Sequence, residues 1–341
     1  MRLTLNRAAS SGSDGSNEPG GKIVHCSVSH ASIAWYRGIS EATQEPFSRS
    51  QLALLRQAVV DYTSSCLYNQ YNKMTTQRYQ RRFMTNYQGL WLERAIEALH
   101  KLQSSQADAI AEAAAWSAEA IGSDGMVHLF GSGHSRIPVE EMFPRYASFP
   151  GFNPMVELST SFHTQIVGSN GQRQAMFIER VSGMAETVLA NYNFGPNDVY
   201  LGFSVSGSNA MPVEMLLGAK TRGLKTIAVT SVAAGGSMAR HADLVIDLDV
   251  PNGDALVSIE GAESPVGPVS TLLYVAIVNE IKVQTAALLG AEGKLPPVLT
   301  GEAVVGAERS KELFEAAYDE HARRASRILH GAQSGVASIH A

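Results

Sequence analysis

Cysteine is scarce: Cys26 and Cys66 are the only two in 341 residues. Two thiols build no disulfide framework, and neither stands at metal-ligand spacing. A reducing compartment, and so a cytoplasmic location, is the expectation. Positive charge is also short. The 27 Lys and Arg against 32 Asp and Glu leave a net charge of −5, which supplies neither the clustered cations of a nucleic-acid surface nor a polybasic membrane segment. No apolar run approaches the roughly 18 residues of a membrane span. Ser, Gly and Asp follow Arg2 and Arg7, where a signal peptide needs an apolar stretch. No nucleic-acid or membrane partner is therefore expected. No cluster of ligating residues calls for a metal, and nothing calls for a cofactor. A small-molecule ligand is the remaining direction.

What is present is 45% hydrophobic and 17% charged, enough apolar material for a sizeable core. Residues 8–22 are rich in Ser and Gly without an apolar period and read as a disordered tail. A helix is expected over 51–71, on Leu52, Leu54, Leu55, Val59 and Val60. No chemistry shows in residues 1–83, which are taken as an N-terminal extension, partly helical and partly disordered. Residues 84–330 form the main domain, and 331–341 a tail.

Inside the main domain the pattern is helical from Leu90, through Leu92, Ala95, Ile96, Leu99 and Leu102, and again over 107–121. Short apolar runs at 126–130, 152–158, 199–203, 226–230 and 244–248 read as buried strands. Helices are expected between them over 137–146, 175–191 and 210–222, then over 271–289 and 307–329. Short apolar strands alternating with helices predict an α/β fold with a parallel sheet covered on both faces.

Two strand-end loops are rich in glycine and hydroxyls. Ser204-Val205-Ser206-Gly207-Ser208-Asn209 runs directly into a helix. Unpaired amides and the helix dipole make such an end an anion site. The alternative is a plain strand-to-helix turn with serine caps. Gly131-Ser132-Gly133-His134-Ser135 is not a dinucleotide fingerprint, because position 136 is Arg, nor a nucleophile elbow, because position 137 is Ile. A glycine turn without chemistry is the competing account.

Phe203-Ser-Val-Ser-Gly-Ser-Asn209, with Ala219-Lys220 and Gly223-Leu-Lys-Thr-Ile-Ala-Val-Thr-Ser231, resembles the central signature of SIS (sugar isomerase) domains. Further motifs resemble a group of single-SIS-domain phosphosugar-binding proteins. They are Phe130-Gly-Ser-Gly-His-Ser135, Glu140-Glu141-Met-Phe143 with Arg145, Ile259-Glu-Gly261 and Val266-Gly-Pro-Val-Ser-Thr271. The resemblance covers residues 87–324. It implies a five-stranded parallel sheet flanked by helices, a sugar phosphate as ligand, and a homodimer or higher homo-oligomer. Carried over by position, Ser204, Ser206 and Ser208 hold the phosphate, with Gly207 and Asn209 in the same loop. Ser132 and Ser135, with Gly133 and His134 between them, line the opposite side. Arg136 stands where the group usually has a second histidine, and residues 146–149 replace a small, glycine-rich stretch, so substrate identity stays open.

Aldose–ketose isomerisation needs a base between C1 and C2. Glu140 and Glu141 follow the glycine loop on a helix. Sedoheptulose-phosphate isomerases of the same fold carry a similar pair. Adjacent helix residues diverge by about 100°, so one of the two can face the site, and Glu141 is preferred; two solvated carboxylates are the alternative. His134 and His163 are candidate proton carriers or sugar contacts, and Glu260 a candidate hydroxyl ligand. His128, inside an apolar strand, reads as a packed core histidine. Two functions compete: a phosphosugar isomerase, or related C1–C2 enzyme of carbohydrate metabolism, and a non-catalytic phosphosugar sensor. A Glu141→Gln protein that binds without turnover separates the first from the second.

Overall fold

The computed structural model describes residues 50, 53, 57, 87–161 and 171–328. By internal contacts the chain divides into Met1–Arg82 and Phe83–Ala341; the sheet and helices below belong to the second unit. Expectations for residues 1–83 and 331–341 lie outside the described residues, save for helical backbone at Ser50, Ala53 and Gln57.

Two helices lead in, α1 (Leu90–Ser105) and α2 (Ala107–Gly122). Then β1 (Val127–Gly131), α3 (Ile137–Met142) and β2 (Phe152–Pro154) follow. Next come α4 (Gly171–Ile178), α5 (Met184–Leu189), β3 (Val199–Phe203) and α6 (Ala210–Thr221). β4 (Lys225–Thr230), α7 (Met238–His241) and β5 (Leu244–Asp247) complete the sheet. A small hairpin, β6 (Ala255–Val257) with β7 (Val266–Pro268), precedes α8 (Ser270–Ala291), α9 (Glu302–Val305) and α10 (Ala307–Ile328).

The five main strands are parallel in the order β2-β1-β3-β4-β5. Alternation along each strand sorts side chains to two faces. Val127, Leu129, Leu201, Phe203, Ile227 and Val229 meet Leu273, Ile277 and Ile281 of α8 and Ile110 of α2. Phe130, Tyr200 and Ala228 meet Leu189 of α5 and Met211, Met215 and Leu216 of α6. By length and composition α8 suffices to cross a membrane, which a search for continuous apolar runs passes over. Here it is a core helix, packed on α2 and α3 with Leu273, Tyr274, Ile277, Val278 and Ile281 buried.

Three expected elements come out differently. The helix expected over 137–146 stops at Met142, because Phe143 precedes Pro144 and takes an extended conformation, φ −165°. The helix expected over 175–191 is two helices, α4 and α5, parted at Ser182 and Gly183, the latter at φ +88°. Glu214 of α6 holds that corner, accepting from the Ser182 hydroxyl and, at 2.8 Å, from the Gly183 amide. The strand expected over 152–158 is only three residues long, Phe152–Pro154, and residues 255–268 carry the β6–β7 hairpin.

In this strand order the chain leaves β1 toward β2, then returns to the other side of β1 with β3. Ligands bind in open parallel sheets at that reversal, beyond the carboxyl ends of the two strands. The glycine loop after β1 and the serine loop after β3 both stand there.

Candidate functional site

The serine loop is shaped by its own hydroxyls. The Ser204 side chain accepts from the Gly207 amide at 3.1 Å, and the Ser208 hydroxyl donates to the Ser206 carbonyl at 3.0 Å. Gly207 turns the chain at φ +57°. A Cβ there would stand 2.8 Å from Thr230 Oγ1 and 3.1 Å from Met238 Cβ. Asn209 is the N-cap of α6, yet its side chain makes no capping bond. The amides of Ser206, Ser208 and Asn209 donate to no acceptor among the described residues. A helix start whose loop amides have no acceptor among the described residues leaves N–H donors of the kind that suit an anion.

The glycine loop opposite is equally constrained. A Cβ on Gly131 would lie 2.0 Å from the Ser135 carbonyl oxygen, so only glycine lets the loop fold back. The Gly133 amide donates to the Thr160 carbonyl at 2.9 Å, and Arg136 Nη1 donates to the Gly133 carbonyl at 3.1 Å. Thr160 is itself fixed by Glu157, which accepts from the amides and hydroxyls of Ser159 and Thr160. Burial opposes ionisation of Glu157, but these four donors outweigh it and hold its pKa below the usual range.

Glu179 joins the two loops. It follows α4 at the corner that replaces the expected long helix. Ser132 Oγ donates to Glu179 Oε2 at 2.8 Å, and Asn209 Nδ2 donates to Glu179 Oε1 at 2.7 Å. The Glu179 carbonyl accepts from the Met211 amide in the first turn of α6 at 2.8 Å. The sequence reading had placed this residue mid-helix and singled out no role for it. The signal was Ser182-Gly183 four residues on, a helix break that turns a surface position into a corner.

Between the loops lies a cavity of about 630 Å³, within the range of small-molecule sites. Of the residues named from sequence, Ser132, Gly133, His134, Ser135, Ser204, Ser206 and Asn209 line it; Gly207 and Ser208 shape the turn behind it. No Lys or Arg lines it among the described residues. Asp254 does, but its carboxylate caps α8, accepting from the amides of Val269 and Ser270 at 3.1 and 2.8 Å.

Of the acid–base candidates, His134 lines this cavity, and Glu140 and Glu141 do not. Glu140 pairs with Arg136 at 3.2 Å and is half exposed. Glu141 pairs with Arg145 and accepts from Asn279 Nδ2 at 2.9 Å. Burial alone would raise the Glu141 pKa, but the Asn279 and Arg145 hydrogen bonds pull it below the usual range. Both glutamates line a separate shallow surface with Arg145 and Tyr146. Helix α3 packs on α8, so the Glu141 carboxylate meets Asn279 of α8, while the Glu140 carboxylate stays with Arg136. Glu260 is exposed, its amide accepted by the Tyr87 hydroxyl at 3.0 Å. His163 lies outside the described residues. His128 is fully buried, as its strand position implied: Asn153 Nδ2 donates to its Nδ1 and its Nε2 donates to Asp198 Oδ2, both at 3.0 Å. Among the described residues no group of three His, Cys, Asp or Glu side chains could hold a metal ion.

Residues 90–231 match the SIS domain. A UPF0309 protein of Geobacillus kaustophilus is 30% identical over 240 residues, which is 67% of this chain and 93% of the relative. A UPF0309 protein of Brucella abortus is 33% identical over 245 residues, 70% of this chain and 98% of the relative. Among solved structures, the phosphoheptose isomerase GmhA from Neisseria gonorrhoeae overlaps 62% of this chain and 99% of its own, with 17% identity and a TM-score of 0.39.

Proposed function

Because the chain belongs to the UPF0309 family of SIS-domain proteins, we propose that it binds a sugar phosphate between the β1 and β3 loops and performs aldose–ketose chemistry at C1 and C2 of the bound sugar. One observation carries the reading. The loop 204–209 offers the amides of Ser206, Ser208 and Asn209, which have no acceptor among the described residues, at a start of α6 without a side-chain cap. A phosphate dianion gains there from several N–H donors and from the helix dipole together. Neutral donors suffice, so the absence of Lys and Arg from the described lining fits a phosphate held by backbone. With the phosphate on that loop, the sugar extends toward Ser132, His134 and Ser135, where hydroxyls and an imidazole meet its own hydroxyls.

A panel of hexose, heptose and amino-sugar phosphates, each beside its unphosphorylated sugar, tests both halves. A ligand that binds only the folded protein raises stability by about 2.7 kcal/mol at a hundred times its Kd. Phosphorylated sugars are expected to raise the melting temperature and their parent sugars to leave it unchanged. Equal shifts from both would remove the phosphate assignment. Isomer formation, followed by chromatography on the same mixtures, tests the reaction; binding without any conversion reduces the protein to a phosphosugar-binding module.

A further inference from the structure

The carboxylates around the glycine loop are nearly all committed. Glu140 and Glu141 are ion-paired on α3, Asp254 caps α8, and Asp198 serves buried His128. Glu179 differs. It lines the cavity, it is half-buried, and it has no cationic partner among the described residues. An ionised carboxylate offers about four lone-pair sites. Two are filled, one on each oxygen, by Ser132 and Asn209. Those donors come from opposite loops, and the Met211 amide fixes the residue's backbone. The arrangement holds one carboxylate at the seam of the site with its remaining lone pairs open. Leaving a partly desolvated carboxylate without a cation is unfavourable for stability, and this one faces the cavity between the two loops.

We propose that Glu179 is the base that carries the proton between C2 and C1 of the sugar, with Ser132 and Asn209 as its positioning residues. This rests on the reading that the cavity holds a sugar phosphate. On the open-chain aldose, Glu179 removes the C2 proton, and the C–H electron pair forms the C1=C2 bond of an enediol as O1 gains a proton. The carboxyl then returns its proton to C1 while O2 loses one and becomes the C2 carbonyl. C2–H and O2–H break, C1–H and O1–H form, and no oxidant or co-reactant enters. The Asn209 side chain, on the same residue as one of the proposed phosphate-binding amides, fixes the distance from the phosphate to the reacting carbons.

The test is deuterium entry at C1 and C2, followed by proton NMR in D₂O, on the sugar phosphates that stabilise the protein, with affinity measured by calorimetry. Glu179→Gln is expected to bind within about threefold of the parent and to exchange at least about 10²-fold more slowly, the span of general-base catalysis. Exchange within tenfold of the parent overturns Glu179 as the base and leaves the binding reading intact. A parent protein that binds but never exchanges overturns it equally. A parent that binds no sugar phosphate overturns the binding reading and this proposal with it. Ser132→Ala keeps the carboxylate and covers the case of a misfolded Gln variant. Losing the Ser132 donor leaves the carboxylate held from the Asn209 side alone, so exchange is expected to slow while affinity for the sugar phosphate changes little. Exchange at the parent rate in Ser132→Ala, with binding intact, contradicts the assignment of Ser132 as a positioning residue.

Discussion

Gly207 and His128 show two kinds of constraint on a single residue. At φ +57° with Thr230 and Met238 against its α-carbon, Gly207 has room for no side chain. Gly207→Ala is expected to lose about 1–3 kcal/mol of stability from backbone strain and to lose sugar-phosphate stabilisation in the same thermal assay; an Ala variant that binds normally contradicts the loop's role. His128 holds Asp198, which also accepts from the amides of Met126 and Gly195 at 2.9 and 2.8 Å. Burial works against the Asp198 charge, yet these donors keep its pKa below the usual range. His128→Leu strips a buried carboxylate of its side-chain partner, so urea unfolding is expected to show a loss of about 3–5 kcal/mol; a loss below about 1 kcal/mol would mean that the two amides suffice. His128 was legible because an imidazole inside an apolar strand has few other fates. Ser206, Ser208 and Asn209 were legible as a loop, though the useful atoms are their amides more than their hydroxyls. Glu179 was not legible, because its role comes from two donors, Ser132 and Asn209, 47 and 30 residues away in the chain.

Helix boundaries followed local chemistry where the breaking residue was decisive. The strand at 199–203 and the starts of α3 and α6 stand where apolar runs and loop residues put them. The α4–α5 corner did not, because its stability comes from Glu214 on α6 rather than from its own sequence. The charges of helix α10, expected over 307–329, form a clamp on the end of α2. Arg324 is buried and donates to the carbonyls of Ile121 and Gly125 at 3.0 and 2.7 Å, satisfying the end of α2. Arg323 and Arg327 grip Asp124 in the turn after α2. The Arg323 hydrogen bond, opposed by partial burial and joined by Arg327, pulls the Asp124 pKa down to about 2. A folded pKa below the unfolded value of about 3.9 stabilises the fold above pH 4, and that contribution is lost as pH falls toward 2. Asp124 sits at φ +65°, a conformation asparagine also tolerates. The melting-temperature gap between the parent and Asp124→Asn should therefore be present at pH 6 and closed near pH 2; a gap constant across that range contradicts the clamp.

At the scale of the molecule, the order β2-β1-β3-β4-β5 is what turns two separate loops into one site. Alternating strands and helices announced a parallel sheet, but strand order depends on pairings such as Val127 with Val199, which no local pattern encodes. We propose that the protein acts as a homodimer, as the family resemblance implied. The exposed Val283 and Leu288 of α8 and Leu92 and Ile96 of α1 are apolar surface that such a contact can bury. Light scattering is expected to give twice the 36.5 kDa chain mass, and a monomer at micromolar concentration contradicts it. The central claim is that free amides at the start of α6 hold the phosphate. Amide NMR on ¹⁵N-labelled protein tests it most directly, during titration with the most stabilising sugar phosphate and then with inorganic phosphate. The account predicts that the resonances of Ser206, Ser208 and Asn209 move first and furthest with both ligands. Saturable binding that leaves those three unmoved would contradict it.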